Sequence, residues 1–170
     1  ANSPGEGLGA TFMVRLPLLN LTPGAQPISL LSPPPLDLKG TRVLAVDDDP
    51  DARQLLAVLL SQYGAEVLTV TSAAEVLASV DVFCPDVLIS DIGMPDVDGY
   101  TLLQRLRVLP TAKIRQIPAI ALTAYAREDD HQRSITSGYQ RHLSKPLEPE
   151  QLVRAVMSLA HPQKANQDFD

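Results

Sequence analysis

Five times between Thr41 and Ala160, a short apolar run gives way to a stretch with the spacing of a helix. The runs lie at 43–46, 67–70, 87–89 and 119–122, with a weaker one at 139–143. Between them, Leu55, Leu56, Leu59 and Leu60 fall on one helical face, as do Leu102, Leu103 and Leu106, then Leu152, Val153 and Val156. Ser72-Ala73-Ala74-Glu75 has the form of a capping box, and Pro149 suits the first position of a helix. Gly138 suits the left-handed stop of a fourth helix. Five βα units in succession predict an α/β fold, a doubly wound parallel sheet with helices on both faces.

The strands differ in polarity, and that orders them. The first, third and fourth are almost wholly apolar, as strands buried on both faces are. The second (65–70) and fifth (139–143) carry polar residues, as edges do. An order of 2-1-3-4-5 satisfies this pattern. It makes strands one and three neighbours at the topological switch point, where ligands bind beyond the carboxyl ends of the strands.

Residues 1–40 have another character. Seven of the 15 prolines precede residue 40, three of them in Pro33-Pro34-Pro35, so residues 21–40 read as an extended linker. Ahead of it, Gly5-Glu6-Gly7-Leu8-Gly9 leads into a single strand at 11–16. A dinucleotide fingerprint needs a strand before its glycines and a helix after them, and neither is visible here. Residues 161–170 read as a polar tail. The chain opens on Ala1 with no signal-peptide pattern, so it is expected to be a piece of a longer protein. A net charge of −6 argues against a nucleic-acid surface, and no run of 18 apolar residues suggests a membrane span. The lone Cys84 excludes an internal disulfide, fits a reducing, cytoplasmic setting, and is expected to be a small buried apolar residue.

The chemistry lies at the strand ends. The first strand runs into Asp47-Asp48-Asp49, the third ends in Ser90-Asp91, the fourth in Thr123, and Lys145-Pro146 follows the fifth. A parallel sheet brings all four groups to one edge. Two carboxylates ~4 Å apart repel by roughly 4 kcal/mol at an effective dielectric of 20. A cation makes such a cluster tolerable, and hard oxygen ligands suit Mg²⁺. An ionised carboxylate needs no general base to attack phosphorus, so Asp91 could take a phosphoryl group. The cation and Lys145 would absorb the charge, and Thr123 would hydrogen-bond the arriving group. Each residue alone has an ordinary reading as a turn, a cap or a β-former; four strand ends together do not.

Residues 41–160 resemble the receiver domain of response regulators and hybrid sensor kinases. The resemblance rests on Val43-Leu44-Ala45-Val46-Asp47-Asp48-Asp49-Pro50, Asp91-Ile92-Gly93-Met94-Pro95-Asp96-Val97-Asp98-Gly99, Leu122-Thr123-Ala124-Tyr125 and Leu143-Ser144-Lys145-Pro146. It implies the flavodoxin-like receiver fold and makes Asp47 and Asp48 the acidic metal pair and Asp91 the phosphoacceptor. The Gly93 carbonyl becomes a further Mg²⁺ ligand, Thr123 the switch hydroxyl and Lys145 the phosphoryl-binding lysine. A cis bond before Pro146 is implied as well. Asp49 falls outside the metal pair. Three residues before the lysine, where the family often has an aromatic switch residue, this chain has His142. The implied phosphodonor is a phosphohistidine on a kinase dimerisation domain or a histidine phosphotransfer protein. Residues 3–18 are similar to the last glycine box and strand of the histidine-kinase ATPase domain, which makes residues 1–20 its remnant, without a nucleotide site.

Three other readings stand beside this one. An aspartyl-phosphate hydrolase could use Asp47-Asp48-Asp49, but such enzymes usually want Thr or Val where Asp51 stands. A flavodoxin-like nucleotide carrier would present hydroxyls and amides in the first loop, where this chain presents acids. A docking-only receiver would not need its acids and lysine intact. The polar stretch 127–133, with Ile135 as its one apolar anchor, is expected to form a transient docking face with the fifth strand.

Overall fold

The computed structural model describes residues 36–124 and 138–161. In chain order these form β1 (Arg42–Val46), α1 (Pro50–Gln62), β2 (Glu66–Val70), α2 (Ala73–Phe83), β3 (Val87–Asp91) and α3 (Gly99–Arg107). A one-turn α4 (Ala112–Arg115), β4 (Ala119–Thr123), β5 (Arg141–Ser144) and α5 (Pro149–Ala160) follow. The five strands pair in parallel in the order β2-β1-β3-β4-β5, as their polarity requires. β3 and β4 are buried at every residue, whereas β2 and β5 expose one or more.

Strand alternation divides the interior into two cores. On one face Val43, Ala45, Ile89, Ile120 and Leu122 pack under α1 and α5, through Leu56, Leu60, Leu152 and Val156. On the other, Leu44, Val46, Leu88, Ala119 and Ala121 pack under α2 and α3, through Val76, Val80, Leu102 and Leu106. A strand with period-2 side chains can serve both faces only if both sets are apolar, hence the continuous runs.

The helix starts follow from their caps. Asp49 caps α1 by accepting the Asp51 N–H at 3.0 Å, with Pro50 at the first position, where its missing N–H costs nothing. Ser72 caps α2 through the Glu75 N–H. The return half of this box differs from expectation: the Glu75 carboxylate takes the N–H of Thr71 at 2.8 Å and its hydroxyl at 2.9 Å. Pro149 opens α5 as expected.

Several features depart from the sequence reading. Cys84 is not a buried apolar residue: it is half-buried and ends α2 in the left-handed region at φ 48°, its Sγ 3.0 Å from the Asp81 carbonyl. α4 carries too few residues to show a period. β5 begins two residues later than expected, leaving Tyr139 ahead of it and buried in the second core. Leu38, placed in the linker by its proline-rich neighbours, is fully buried in the first core. Gly138 has the left-handed φ of 92° expected of a helix stop. The helix it would close, the 127–133 docking face, the strand at 11–16, the 1–20 remnant and the tail beyond 161 lie outside the described residues.

Candidate functional site

Beyond Val46 the chain leaves the sheet, and three consecutive aspartates diverge. Asp47 is fully buried and Asp48 exposed, while Asp49 turns away to cap α1. The Asp47 carboxylate accepts the Asp49 N–H at 3.0 Å. Arg53, one turn into α1, donates to the carbonyls of Asp47 and Asp48, both at 2.9 Å. The loop is thus pinned to the helix that follows it. Arg53 escaped the sequence reading because its targets are main-chain oxygens, which leave no mark in the sequence.

Asp91 ends β3 and is 6% exposed; Thr123 ends the neighbouring β4 and is 7% exposed. The Lys145 N–H donates to the Thr123 carbonyl at 2.7 Å, and the Lys145–Pro146 peptide is cis. From there the ammonium reaches Asp47 Oδ2 at 2.7 Å and Asp91 Oδ1 at 3.1 Å. Asp47, Asp48 and Asp91 each offer a carboxylate oxygen within 4.8 Å of the others. Gly93 lies beside them, since a Cβ built on it would stand 3.5 Å from Asp91 Oδ2. His142, on the edge strand β5, is half-buried and paired in register with Ala121.

The electrostatics are those of a site short of positive charge. Burial pushes the Asp91 carboxyl above the ordinary range; hydrogen bonding and charge from Lys145 oppose this, and Asp47 and Asp48 add to it. Burial alone would lower the Lys145 ammonium, but its bonds to Asp47 and Asp91 prevail and raise it. One ammonium among three carboxylates leaves a negative excess, and closely spaced oxygen donors suit a hard dication. The residues present fit Mg²⁺. A cleft of about 310 Å³ runs from Asp47 and Lys145 along Leu55, Leu56, Pro146 and Leu147.

One further group was not legible in the sequence. The Tyr139 hydroxyl donates to the Gly99 carbonyl at 2.7 Å, at the start of α3. Read as part of an edge strand, Tyr139 gave no sign of a buried partner.

Known proteins share this fold. Residues 43–157 match the response regulator receiver domain family. An uncharacterised 14.6 kDa protein of Leptolyngbya boryana is 46% identical over 72% of the chain and 94% of its own length. The sensor protein GacS of Pseudomonas syringae is 32% identical over 73% of the chain, which spans only 14% of that protein. Among solved structures, the receiver domain of a sensor histidine kinase from Pseudomonas aeruginosa PAO1 aligns with a TM-score of 0.65 at 26% identity, covering 71% of this chain and 98% of that one. With a family match over more than half its length and the 2-1-3-4-5 sheet beneath it, the chain belongs to the response regulator receiver domains of two-component signalling.

Proposed function

We propose that the chain accepts a phosphoryl group from a phosphohistidine onto Asp91, with Mg²⁺, and changes conformation as a result. The observation that carries this reading is the meeting of Asp47, Asp48 and Asp91 with the Lys145 ammonium at the ends of β1, β3 and β5. A carboxylate oxygen of Asp91 forms the new O–P bond as the P–N bond to the donor imidazole breaks, and the imidazole leaves with the electron pair. Lys145 then pairs with an equatorial oxygen of the bound group, and the Thr123 hydroxyl hydrogen-bonds another. Asp47, Asp48, Asp91 and the Gly93 carbonyl would hold Mg²⁺, whose charge offsets the negative oxygens as they approach. The similar P. aeruginosa domain carries a magnesium ion in its active-site cleft.

The cleft beside α1 gives the donor an approach. Leu55 is half exposed and lines it, together with Pro146 and Leu147, so an apolar surface flanking the donor histidine has somewhere to rest. The likeness to GacS and to the sensor kinase RcsC, with the kinase-like pattern at residues 3–18, favours a hybrid histidine kinase as parent. No helix among the described residues is long and apolar enough to cross a membrane.

The test is phosphorylation by acetyl phosphate, followed by intact mass. The expected result is the gain of one phosphoryl group with Mg²⁺, none in chelator, and none in Asp91→Asn. A mass gain that survives either change overturns the assignment. Steady turnover of a phosphate ester would favour the hydrolase reading instead.

A further inference from the structure

We propose that the Tyr139 hydroxyl is a positioning group for phosphoryl acceptance, holding the first turn of α3 against the backbone of Asp91; this role rests on the function proposed above. Tyr139 is 6% exposed, and a phenol at that depth requires a partner. It has the Gly99 carbonyl at 2.7 Å. Its ring meets Tyr100 edge-on, with centroids 6.1 Å apart.

Gly99 is pressed onto the acceptor strand. A Cβ there would stand 2.6 Å from the Asp91 carbonyl oxygen, closer than side-chain carbons come, and 3.0 Å from Ser90 Oγ. The Gly99 N–H also donates to the Ile92 carbonyl at 3.2 Å. Ser90 is fully buried, and its hydroxyl donates to the Asp91 carbonyl at 2.9 Å. The phenol thus holds the helix residue that is packed on Asp91's own carbonyl.

The far end of α3 is fastened to the same place. Arg107, its last residue, donates to the Gly138 carbonyl at 3.3 Å. Residues 138 and 139 therefore hold both ends of the helix that begins beside the acceptor loop. Phosphoryl transfer is sensitive to small displacements of the attacking oxygen. A phenylalanine would supply the packing of Tyr139; only the hydroxyl supplies the tether.

The experiment compares the full chain with its Tyr139→Phe variant. In acetyl phosphate and saturating Mg²⁺, the maximal phosphorylation rate should fall roughly three- to tenfold, the worth of about one hydrogen bond. The donor concentration giving half that rate should not move, and the variant should remain fully folded at the assay temperature. Hydrogen exchange at the Gly99 amide should speed up relative to the amides of β1. An unchanged maximal rate overturns the proposal, and so does a fall that only tracks a smaller folded fraction in the melt. A wild-type chain that takes up no phosphoryl group would sink the proposed function itself, and the reaction role with it. The wild-type control separates these two failures.

Discussion

Three adjacent aspartates show how far one residue type can diverge in role. Asp47 is buried against Lys145, Asp48 is exposed at the rim of the cluster, and Asp49 is committed to the end of α1. Asp49→Ala should therefore cost about 1 kcal/mol in urea denaturation, the usual worth of a cap, while Mg²⁺-dependent phosphorylation persists. Loss of phosphorylation in that variant would put Asp49 in the metal site. Asp48→Asn should do the reverse. In chelator it removes like-charge repulsion and should gain a few tenths of a kcal/mol, since an exposed charge is well screened. With Mg²⁺ added, the wild type should melt higher and Asp48→Asn should not. Asp47, Asp48, Asp91, Thr123 and Lys145 could be picked out in the sequence because each stands at or just past the end of a recognisable strand. Tyr139 and Arg53 could not. Each acts on main-chain carbonyls, and a glycine or an aspartate supplies those without any side-chain signature.

The elements were legible wherever their period had room to show. β1, β3 and β4 are each built on an apolar run, and α1, α3 and α5 carry apolar residues at helical spacing. α4 spans four residues and shows no period, and the left-handed turn at Cys84 has no glycine to announce it. The α2 cap was read correctly as a site and incompletely as a geometry, because Glu75 reaches past the cap residue to Thr71. That reach has a pH signature. The Thr71 N–H, then the Thr71 hydroxyl, hold the exposed Glu75 carboxyl below its ordinary value. A carboxylate depressed in the folded state adds stability above its unfolded pKa, and the contribution fades as pH falls through the folded value. Wild type should thus melt above Glu75→Gln at neutral pH, and the gap should close on acidification below the ordinary carboxylate range. A gap that is constant down to pH ~3 would mean that the carboxylate's charge contributes nothing at this cap.

At the scale of the whole molecule, the packed domain begins earlier than composition suggests. The family match starts at residue 43, and the expected linker runs to residue 40, yet Leu38 is fully buried among Leu56, Leu60, Leu152 and Val156. The backbone is held there too. The Leu38 N–H donates to the Tyr63 carbonyl at 2.7 Å, and its carbonyl accepts the Thr41 N–H at 2.9 Å. A Cβ on Gly64 would come within 2.8 Å of the Lys39 side chain, so the turn after α1 closes directly over this segment. Residues 36–41 thus seal the end of the core between α1 and α5, and a linker boundary at residue 40 falls inside the fold. Leu38→Ala should cost about 2–5 kcal/mol, as large-to-small changes at full burial do. A chain beginning at Leu36 keeps Leu38 with its bonds to Tyr63 and Thr41, and should match the full-length protein in urea to within about 0.5 kcal/mol. A chain beginning at Gly40 should show the Leu38→Ala loss or more, because the backbone bond to Tyr63 goes with the side chain. Equal stability for chains beginning at residues 36 and 40 would show that Leu38 covers the core without holding it.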